Sequence, residues 1–326
     1  MRNTVQRDSA ARVTGQEVRH ILDVDSLHPE ELRAILELAR EMKRTGRWDE
    51  VLRGRLVVLV FEKPSLRTRV SFEAAVHRLG GTFSYLAGQD VGLGVRETIA
   101  DFARTIERYV DGLVARVYRH QMLIDLAENL RVPLINALSD HAHPCQALAD
   151  ALTVLEHVPS QSPRVVFVGD GNNVARSLAL VCRYLGWSFR LCCPERYAFS
   201  SAFLNHVRSL PGTGAVEVVH DPQAAVRDAD VIYTDVWTSM GQEKEGATRR
   251  RAFRRFQVNA DLLAAAPRHA LVMHCLPARR GEEITDDVID GPRSIVFDQA
   301  ENRLHAQQAL LGWLYGATRN ERRAEE

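Results

Sequence analysis

Short apolar runs alternate with amphipathic segments along most of the 326-residue chain. Residues 56–61, LVVLVF, are rich in β-branched side chains, and the length of this run predicts a buried strand. Pro29 begins a segment with helical spacing of apolar residues, which predicts a helix with proline at its first position. Its apolar face would consist of Leu32, Ile35, Leu36, Ala39 and Met42. The alternation is typical of an α/β protein with mainly parallel sheets flanked by helices.

The same periodicities place the remaining elements. Further helices are predicted at about 65–79, 98–108, 121–130, 144–157 and 303–316. Further strands are predicted at 82–86, 113–117, 134–138, 165–168, 189–193, 216–219, 231–236, 271–275 and 294–297. Residues 159–164, PSQSPR, form a Pro- and Ser-rich break, so we predict two domains with a boundary there.

Charge and cysteine content narrow the class of protein. Lysine plus arginine and aspartate plus glutamate both number 42, which argues against binding to nucleic acid or to membrane surfaces. The five cysteines include no CxxC pair, so we expect no disulfide framework and no zinc site. A reducing, cytoplasmic location fits this pattern better. No apolar run approaches the roughly 20 residues that span a bilayer.

The first 20 residues are polar and contain four arginines, but they lack the apolar stretch of a secretory signal. A transit peptide is the alternative, although Asp8 and Glu17 weaken it. We interpret this segment as a disordered or loosely packed extension.

A candidate anion site lies where the strand at 56–61 gives way to a helix, in the sequence FEKPSLRTR. The first turn of a helix has unpaired backbone N–H groups and a partial positive charge, so it attracts anions. Ser65 and Thr68 add hydroxyl groups, and Arg67 adds a guanidinium fork that suits a phosphate. The alternative is an ordinary capped helix whose arginines are solvated.

A second cluster is DHAHPCQ, residues 140–146. Pro144 suits the first position of a helix, which leaves His143 near the cap. His143 and Gln146 share a helix face, where a neutral imidazole and an amide can hold a polarised carbonyl group. The alternative is a capping histidine and a surface glutamine.

Three motifs in the C-terminal half follow predicted strands: GDGNN at 169–173, DVWTSMG at 235–241 and HCLP at 274–277. Ligands of open parallel sheets bind beyond the carboxyl ends of the strands, so all three motifs point to one crevice. Asp235 and Cys275 are the candidate functional side chains. Taken singly, Asp235 is equally explained as a cap or turn residue, and Cys275 as a buried, inert thiol.

Together these motifs resemble the aspartate/ornithine carbamoyltransferase family, from about residue 17 to residue 316. SLRTR is similar to the family's SxRTR phosphate signature, HPCQ to its HPxQ segment, and the SMG and HCLP segments to those of ornithine-accepting members. The resemblance implies transfer of the carbamoyl group from carbamoyl phosphate to the side-chain amine of L-ornithine, giving L-citrulline and phosphate. No metal or organic cofactor is expected, because phosphate is already a good leaving group.

The resemblance also implies an organisation. A carbamoyl phosphate-binding domain would span residues 17–157 and an ornithine-binding domain residues 158–302, with a C-terminal helix at 303–320 that packs on the first domain. The family resemblance implies a homotrimer with active sites at subunit boundaries. The charged, glycine-containing stretch 239–246 suits a lid that closes on the second substrate.

A role follows from the resemblance for each matching residue. Carbamoyl phosphate would be bound by Ser65, the backbone of Leu66, Arg67, Thr68, Arg116, His143, Gln146, Cys275, Leu276 and Arg303. The amino-acid end of ornithine would be held by Asn173, Asp235, Ser239 and Met240. The residues expected to take part in catalysis are Arg116, His143, Asp235, Cys275 and Arg303.

Two positions depart from the family pattern. Leu66 stands where threonine is most common, which removes a hydroxyl contact but leaves a backbone N–H. Gly92 stands where members commonly carry a glutamine donated across a subunit boundary, and Gln89 or Arg96 is a candidate substitute.

Three alternatives stay open on the sequence alone. In the first, the enzyme is a carbamoyltransferase whose acceptor is another amine, such as N-acylated ornithine, putrescine or aspartate. Residues 165–171, VVFVGDG, resemble a dinucleotide-binding turn of an oxidoreductase, but Val174 stands where the third glycine of GxGxxG belongs. The third alternative is a catalytically inactive binding protein. The sequence also does not decide between arginine synthesis and ornithine-linked breakdown.

Overall fold

The computed structural model of the chain describes residues 18–238 and 243–324. Its strands are β1 Leu56–Phe61, β2 Thr82–Ala87, β3 Gly112–Arg116, β4 Leu134–Leu138, β5 Arg164–Val168, β6 Ser188–Cys192, β7 Val216–Val219, β8 Val231–Thr234 and β9 Leu271–His274. Its α-helices are α1 Pro29–Thr45, α2 Leu66–Arg78, α3 Gly88–Val91, α4 Ile99–Ile106, α5 His120–Ala127, α6 Pro144–His157, α7 Asn173–Leu185, α8 Ser201–Ser209, α9 Pro222–Val226, α10 Gly246–Phe253, α11 Ala260–Ala265, α12 Asp286–Ile289 and α13 Val296–Ala324.

The strands form two parallel sheets, with the orders β2-β1-β3-β4 and β7-β6-β5-β8-β9. Strands β3 and β4 are buried along their whole length, as expected for parallel strands that helices cover on both faces. The predicted α/β class, with two parallel sheets flanked by helices, is therefore confirmed.

The strand orders bring the predicted site segments together. In the first sheet, Arg116 at the end of β3 pairs with Phe61 at the end of β1 and with Leu138 at the end of β4. In the second sheet, β8 lies between β5 and β9, and Thr234 pairs with His274. Because neighbouring parallel strands end at the same edge of a sheet, the residues that follow them lie close together.

Helix α13 returns to the N-terminal half of the chain. It contacts α1, α2 and α6, and its residues Ala309, Leu310 and Leu311 are buried completely or almost so. The predicted packing of the C-terminal helix is confirmed, although the helix begins at Val296 and not at residue 303.

The strand predicted at 294–297 is wrong. Ser294 forms an isolated bridge with Val272, and the helix begins two residues later. Ile295 and Val296 are buried, but a short apolar run does not distinguish a strand from the start of a buried helix. Strands β8 and β9 also end earlier than predicted, which leaves Asp235 and Cys275 in the loops that follow them.

The predicted N-terminal extension lies, up to residue 17, outside the described residues. Beyond it, Arg19 donates hydrogen bonds of 2.9 and 2.8 Å to the Glu31 carboxylate on α1. Among the described residues, no helix combines the length and the apolar character needed to cross a bilayer.

Replacing Leu310 with alanine should lower the free energy of unfolding by about 2–5 kcal/mol, because it removes a fully buried side chain of α13. Urea unfolding followed by circular dichroism measures this loss. Glu301→Ala, at an exposed position on the same helix, is the matched control and should cost less than about 1 kcal/mol. Equal losses in the two variants would contradict the packing role of α13.

Candidate active site

One cavity of about 740 Å³ lies at the carboxyl ends of both sheets. It is lined by every predicted site residue that the structure describes: Ser65, Leu66, Arg67, Thr68, Arg116, His143, Gln146, Asn173, Asp235, Cys275, Leu276 and Arg303. The predicted ornithine contacts Ser239 and Met240 lie outside the described residues. The cavity therefore joins segments that are separated by more than two hundred positions in the sequence.

The start of α2 forms one wall of the cavity. Ser65 is the N-cap residue, and its Oγ accepts the Thr68 backbone N–H at 3.3 Å and donates to Thr68 Oγ1 at 3.1 Å. Leu66 is the first helical residue, and its side chain is 76% exposed. Helix geometry leaves the N–H groups of this first turn without partners inside the helix, so they can bind an anion.

Two buried arginines approach this helix start. Arg116 donates from Nε to the Lys63 carbonyl at 3.1 Å and from Nη1 to Thr68 Oγ1 at 3.5 Å. Arg303, on α13, donates from Nη2 to Thr68 Oγ1 at 3.4 Å. Burial, followed by the positive charges of Arg303 and Arg67, lowers the pKa of Arg116 to about 9, so it remains charged at neutral pH. This wall therefore concentrates positive charge.

His143 and Gln146 lie at the start of α6, next to Arg303. The His143 backbone N–H donates to Ser177 Oγ at 2.9 Å, and His143 Nε2 lies 3.5 Å from Arg303 Nη1. Burial, and then the charges of Arg303, Arg116 and Lys63, hold the pKa of His143 well below its ordinary value. The ring is thus neutral. Gln146 Oε1 accepts a short hydrogen bond from Arg303 Nη1.

Asp235 and Cys275 form the opposite wall. Asp235 Oδ1 accepts the Cys275 thiol at 3.1 Å and the Val236 backbone N–H at 2.8 Å. Asp235 Oδ2 accepts from Asn172 Nδ2 at 2.9 Å. Burial, followed by the negative charge of Asp235, raises the pKa of Cys275 well above its ordinary value. Cys275 is therefore a thiol donor and not a thiolate nucleophile.

A buried pair holds the loop that carries Cys275. His274 Nε2 lies 2.9 Å from Glu283 Oε1, and His274 Nδ1 accepts the Leu276 backbone N–H at 2.9 Å. Leu276 has a φ of +55°, a left-handed conformation that a leucine rarely adopts. The imidazole thus fixes a strained turn next to the site. Glu283 was not predicted, because nothing in its local sequence pattern separates it from a surface acid.

The same region contains a group with metal-ligand spacing. Ligand atoms of Asp235, His274 and Cys275 lie within 4.8 Å of one another. Both ring nitrogens of His274 are engaged in hydrogen bonds, and Cys275 is held as a thiol. Zinc would need a thiolate and a free imidazole nitrogen, so the arrangement favours hydrogen bonding over metal binding.

Further contacts in the site were not predicted. Asn173 donates from Nδ2 to the Ser139 carbonyl at 2.6 Å, across to the first sheet, while its neighbour Asn172 contacts Asp235. Arg249 on α10 was also missed: it pairs with Asp170, a cavity residue, and donates from Nε to the Trp237 carbonyl at 2.8 Å. Its stretch ATRRRAFRRF offers no signal that distinguishes one arginine from the others.

Gly92 ends α3 with a φ of +59° and does not line the cavity. A Cβ atom at this position would lie 2.8 Å from Arg96 Cγ, and a residue with a side chain would be strained at this positive φ. A glutamine is therefore disfavoured here. Of the predicted lid at 239–246, residues 239–242 lie outside the described part, residues 243–245 form a 3-10 turn, and Gly246 begins α10.

Comparison with known proteins identifies the family. The profile described as aspartate/ornithine carbamoyltransferase, carbamoyl-P binding domain, matches residues 19–156, and the profile for its Asp/Orn binding domain matches residues 161–314. The chain belongs to the aspartate/ornithine carbamoyltransferase family. Members of this family are carbamoyltransferases, and the cavity lies where residues of the two matched segments meet.

Relatives within the family are similar over nearly their whole length. Ornithine carbamoyltransferase of Pyrococcus abyssi is 50% identical over 307 residues, which cover 92% of this chain and 97% of the relative. The protein named anabolic ornithine carbamoyltransferase of Pyrococcus furiosus is 50% identical over 304 residues, 91% of this chain and 96% of the relative.

Solved structures agree with the fold described above. Ornithine carbamoyltransferase from Pyrococcus furiosus superposes with a TM-score of 0.87 at 48% identity, covering 93% of this chain and 99% of that one. The enzyme from Thermus thermophilus gives a TM-score of 0.83 at 43% identity, covering 92% and 99%.

Arg303→Met should raise the pKa of His143, because it removes a cation that disfavours the imidazolium form. The pKa should stay below its ordinary value, since burial remains the larger cause. A ¹⁵N NMR titration of the ring measures this. Arg104→Met, on α4 and outside the cavity, is the control and should leave the titration unchanged. An unchanged or lower pKa in Arg303→Met would contradict the charge arrangement.

Proposed function

We propose that this chain transfers the carbamoyl group of carbamoyl phosphate to the side-chain amine of L-ornithine, giving L-citrulline and phosphate. The observation that carries the proposal is the convergence of an anion-binding helix start with Asp235 and Cys275 in one cavity. Relatives named ornithine carbamoyltransferase support ornithine as the acceptor, and the anabolic name of one of them supports a role in arginine biosynthesis.

Carbamoyl phosphate would bind at the first wall. The first turn of α2, the hydroxyls of Ser65 and Thr68, and Arg67 would hold the phosphate oxygens. Arg116 and Arg303 flank Thr68 and would reach the phosphate and the carbonyl oxygen together. The carbamoyl group would then lie against His143, Gln146 and the backbone of Leu276.

Ornithine would bind at the second wall. The Asp235 carboxylate would accept hydrogen bonds from the α-amino group, and Asn173 lines the same cavity. The family resemblance implies that Ser239 and Met240 complete the contacts to the amino-acid end. Cys275, held to Asp235 at 3.1 Å, would lie beside the reacting amine. A carboxylate paired with a thiol suits a cationic amino group better than the dicarboxylate of aspartate.

The reaction needs a neutral amine. An alkyl ammonium resembles lysine, with a pKa near 10.4, so its deprotonation at pH 7 costs about 4–5 kcal/mol. The buried cations of the first wall disfavour the ammonium form and lower this cost. After attack on the carbamoyl carbon, negative charge grows on the carbonyl oxygen. Arg116, Arg303 and the neutral His143 would stabilise it as phosphate leaves.

We also infer the domain organisation, the oligomeric state and the location of the enzyme. Residues 17–157 would form the carbamoyl phosphate domain, 158–302 the ornithine domain, and 303–320 the helix that completes the first site through Arg303. We infer a cytoplasmic homotrimer that binds no nucleic acid or membrane and needs no cofactor. The neutral charge balance supports the absence of nucleic-acid and membrane binding, and the family resemblance implies the homotrimer.

A steady-state assay tests the proposed function directly. With carbamoyl phosphate, the purified chain should form citrulline from L-ornithine, and kcat/KM should fall by at least about a hundredfold with N-acetylornithine, putrescine or aspartate. If one of these other amines gives a higher kcat/KM than L-ornithine, that amine is the acceptor and ornithine is not. Tight binding of carbamoyl phosphate without any product would instead indicate an inactive binding protein.

Arg67→Ala should lower kcat/KM for carbamoyl phosphate by about 10²–10³, because it removes a cation from the developing charge on the leaving phosphate. Citrulline formation measures this loss. Arg78→Ala, at the opposite end of α2, is the matched control and should stay close to wild type. Wild-type kinetics in Arg67→Ala would show that the start of α2 is not part of the active site.

A further inference from the structure

Asp150 is a fully buried acid that the proposed mechanism does not use. It lies one helical turn after Gln146 on α6. Its Oδ1 atom accepts hydrogen bonds from two side-chain amides, Gln146 Nε2 at 2.8 Å and Gln299 Nε2 at 2.7 Å. Gln299 is also fully buried and comes from the first turn of α13. Asp150 therefore joins α6 to α13 beneath the cavity.

This contact sets the orientation of both amides. A carboxylate oxygen can only accept hydrogen bonds, so each glutamine must turn its NH₂ group toward Asp150. The Gln146 oxygen consequently faces the cavity side, where it accepts from Arg303, a group that can only donate and so reinforces the same orientation. The Gln299 oxygen accepts the backbone N–H of His274 at 2.9 Å, directly before Cys275.

The arrangement does not depend on the charge of Asp150. Burial raises the pKa of Asp150 to about 7, against the opposing effect of hydrogen bonds from Gln146, Gln299 and Tyr233 and of the positive charge of Arg303. Neither glutamine donates to its Oδ2 atom, so a proton can reside there without breaking either contact. Oδ1 then accepts from both glutamines in either state.

We propose that Asp150 is a positioning residue that turns the amide oxygen of Gln146 toward the substrate and thereby makes the site select a carbamoyl group over an acyl group of the same shape. The inference rests on the proposed function, in which Gln146 contacts the carbamoyl end. A carbamoyl NH₂ donates hydrogen bonds, and the Gln146 oxygen accepts them. The methyl group of an acetyl analogue donates none. If the Gln146 amide were flipped, its NH₂ group would face the carbamoyl NH₂ group, and neither could accept a hydrogen bond from the other.

The second glutamine extends the same constraint to the other substrate. Through Gln299, Asp150 holds the backbone N–H at the end of β9, and Cys275 follows immediately. The orientation of the carbamoyl contact and the position of the Cys275 loop therefore share one buried acceptor.

Two stable isosteres test the selectivity: phosphonoacetamide, which carries the NH₂ group, and acetonylphosphonate, which carries a methyl group there. Calorimetry should show that wild-type protein prefers phosphonoacetamide by about tenfold or more. Asp150→Leu should reduce this preference at least about tenfold, mainly through weaker binding of phosphonoacetamide. Asp150→Asn retains a carbonyl oxygen that accepts from both amides, so its preference should stay within about threefold of wild type.

Thr153→Val is the matched control. Thr153 is fully buried on the same helix and accepts from Asn302 Nδ2 on α13 at 3.0 Å, so its loss also breaks a buried hydrogen bond between α6 and α13. This variant should lose thermal stability and keep the wild-type preference. Equal weakening of both isosteres in Asp150→Leu, or an unchanged preference, would overturn the proposal. If wild-type protein forms no citrulline and binds neither isostere, the proposed function itself fails.

Gln299→Leu tests the second contact without removing the acid, and it applies even if Asp150→Leu does not fold. The isostere preference should be retained, because Gln146 stays bonded to Asp150. The KM for ornithine should rise and kcat should fall severalfold, because the backbone N–H before Cys275 loses its acceptor. Wild-type ornithine kinetics in Gln299→Leu, or loss of the isostere preference, would contradict the shared role of Asp150.

Discussion

Two buried guanidinium groups meet at one hydroxyl, and the cavity is organised around this concentration of positive charge. Arg116 and Arg303 both donate to Thr68 Oγ1, at 3.5 and 3.4 Å. Among the described residues, no carboxylate forms an ion pair with either arginine. Desolvated like charges oppose folding, and a bound dianion relieves this opposition. The protein thus holds in advance the charge that the phosphate requires.

The fold supplies what holds these charges in place. Arg116 is fixed by its position at the end of β3 and by the Lys63 carbonyl, while Arg303 arrives on α13 from the other end of the chain. Helix α13 packs against α1, α2 and α6 along a buried apolar face. The free energy that offsets the charge repulsion therefore comes from core packing away from the cavity. Helix α13 thus stabilises the site formed by the N-terminal half of the chain.

Much of this arrangement was predictable from the sequence, because strand ends in parallel sheets converge. The sequence shows a strand followed by SLRTR and three C-terminal strands that are each followed by a polar motif. This pattern predicted that Ser65, Asp235 and Cys275 would lie close together, and all three line the cavity. What failed depended on three-dimensional contacts. The apolar residues near 295 begin a helix because α13 packs there. Asp150 was missed because its partner Gln299 lies 149 positions away.

The same charge distribution favours one order of binding. Five cations line the cavity, namely Lys63, Arg67, Arg116, Arg279 and Arg303, against the three carboxylates of Asp140, Asp170 and Asp235, and Asp170 is paired with Arg249. At about 4 Å and an effective dielectric constant of 20, a unit charge contributes roughly 4 kcal/mol, so the excess of cations disfavours an ammonium group. Entry of a phosphate dianion first cancels much of that repulsion. The amine then meets a more balanced field, yet remains close enough to the arginines for its proton to be released. We therefore expect the anion-binding helix start to assist the binding and reaction of the second substrate as well.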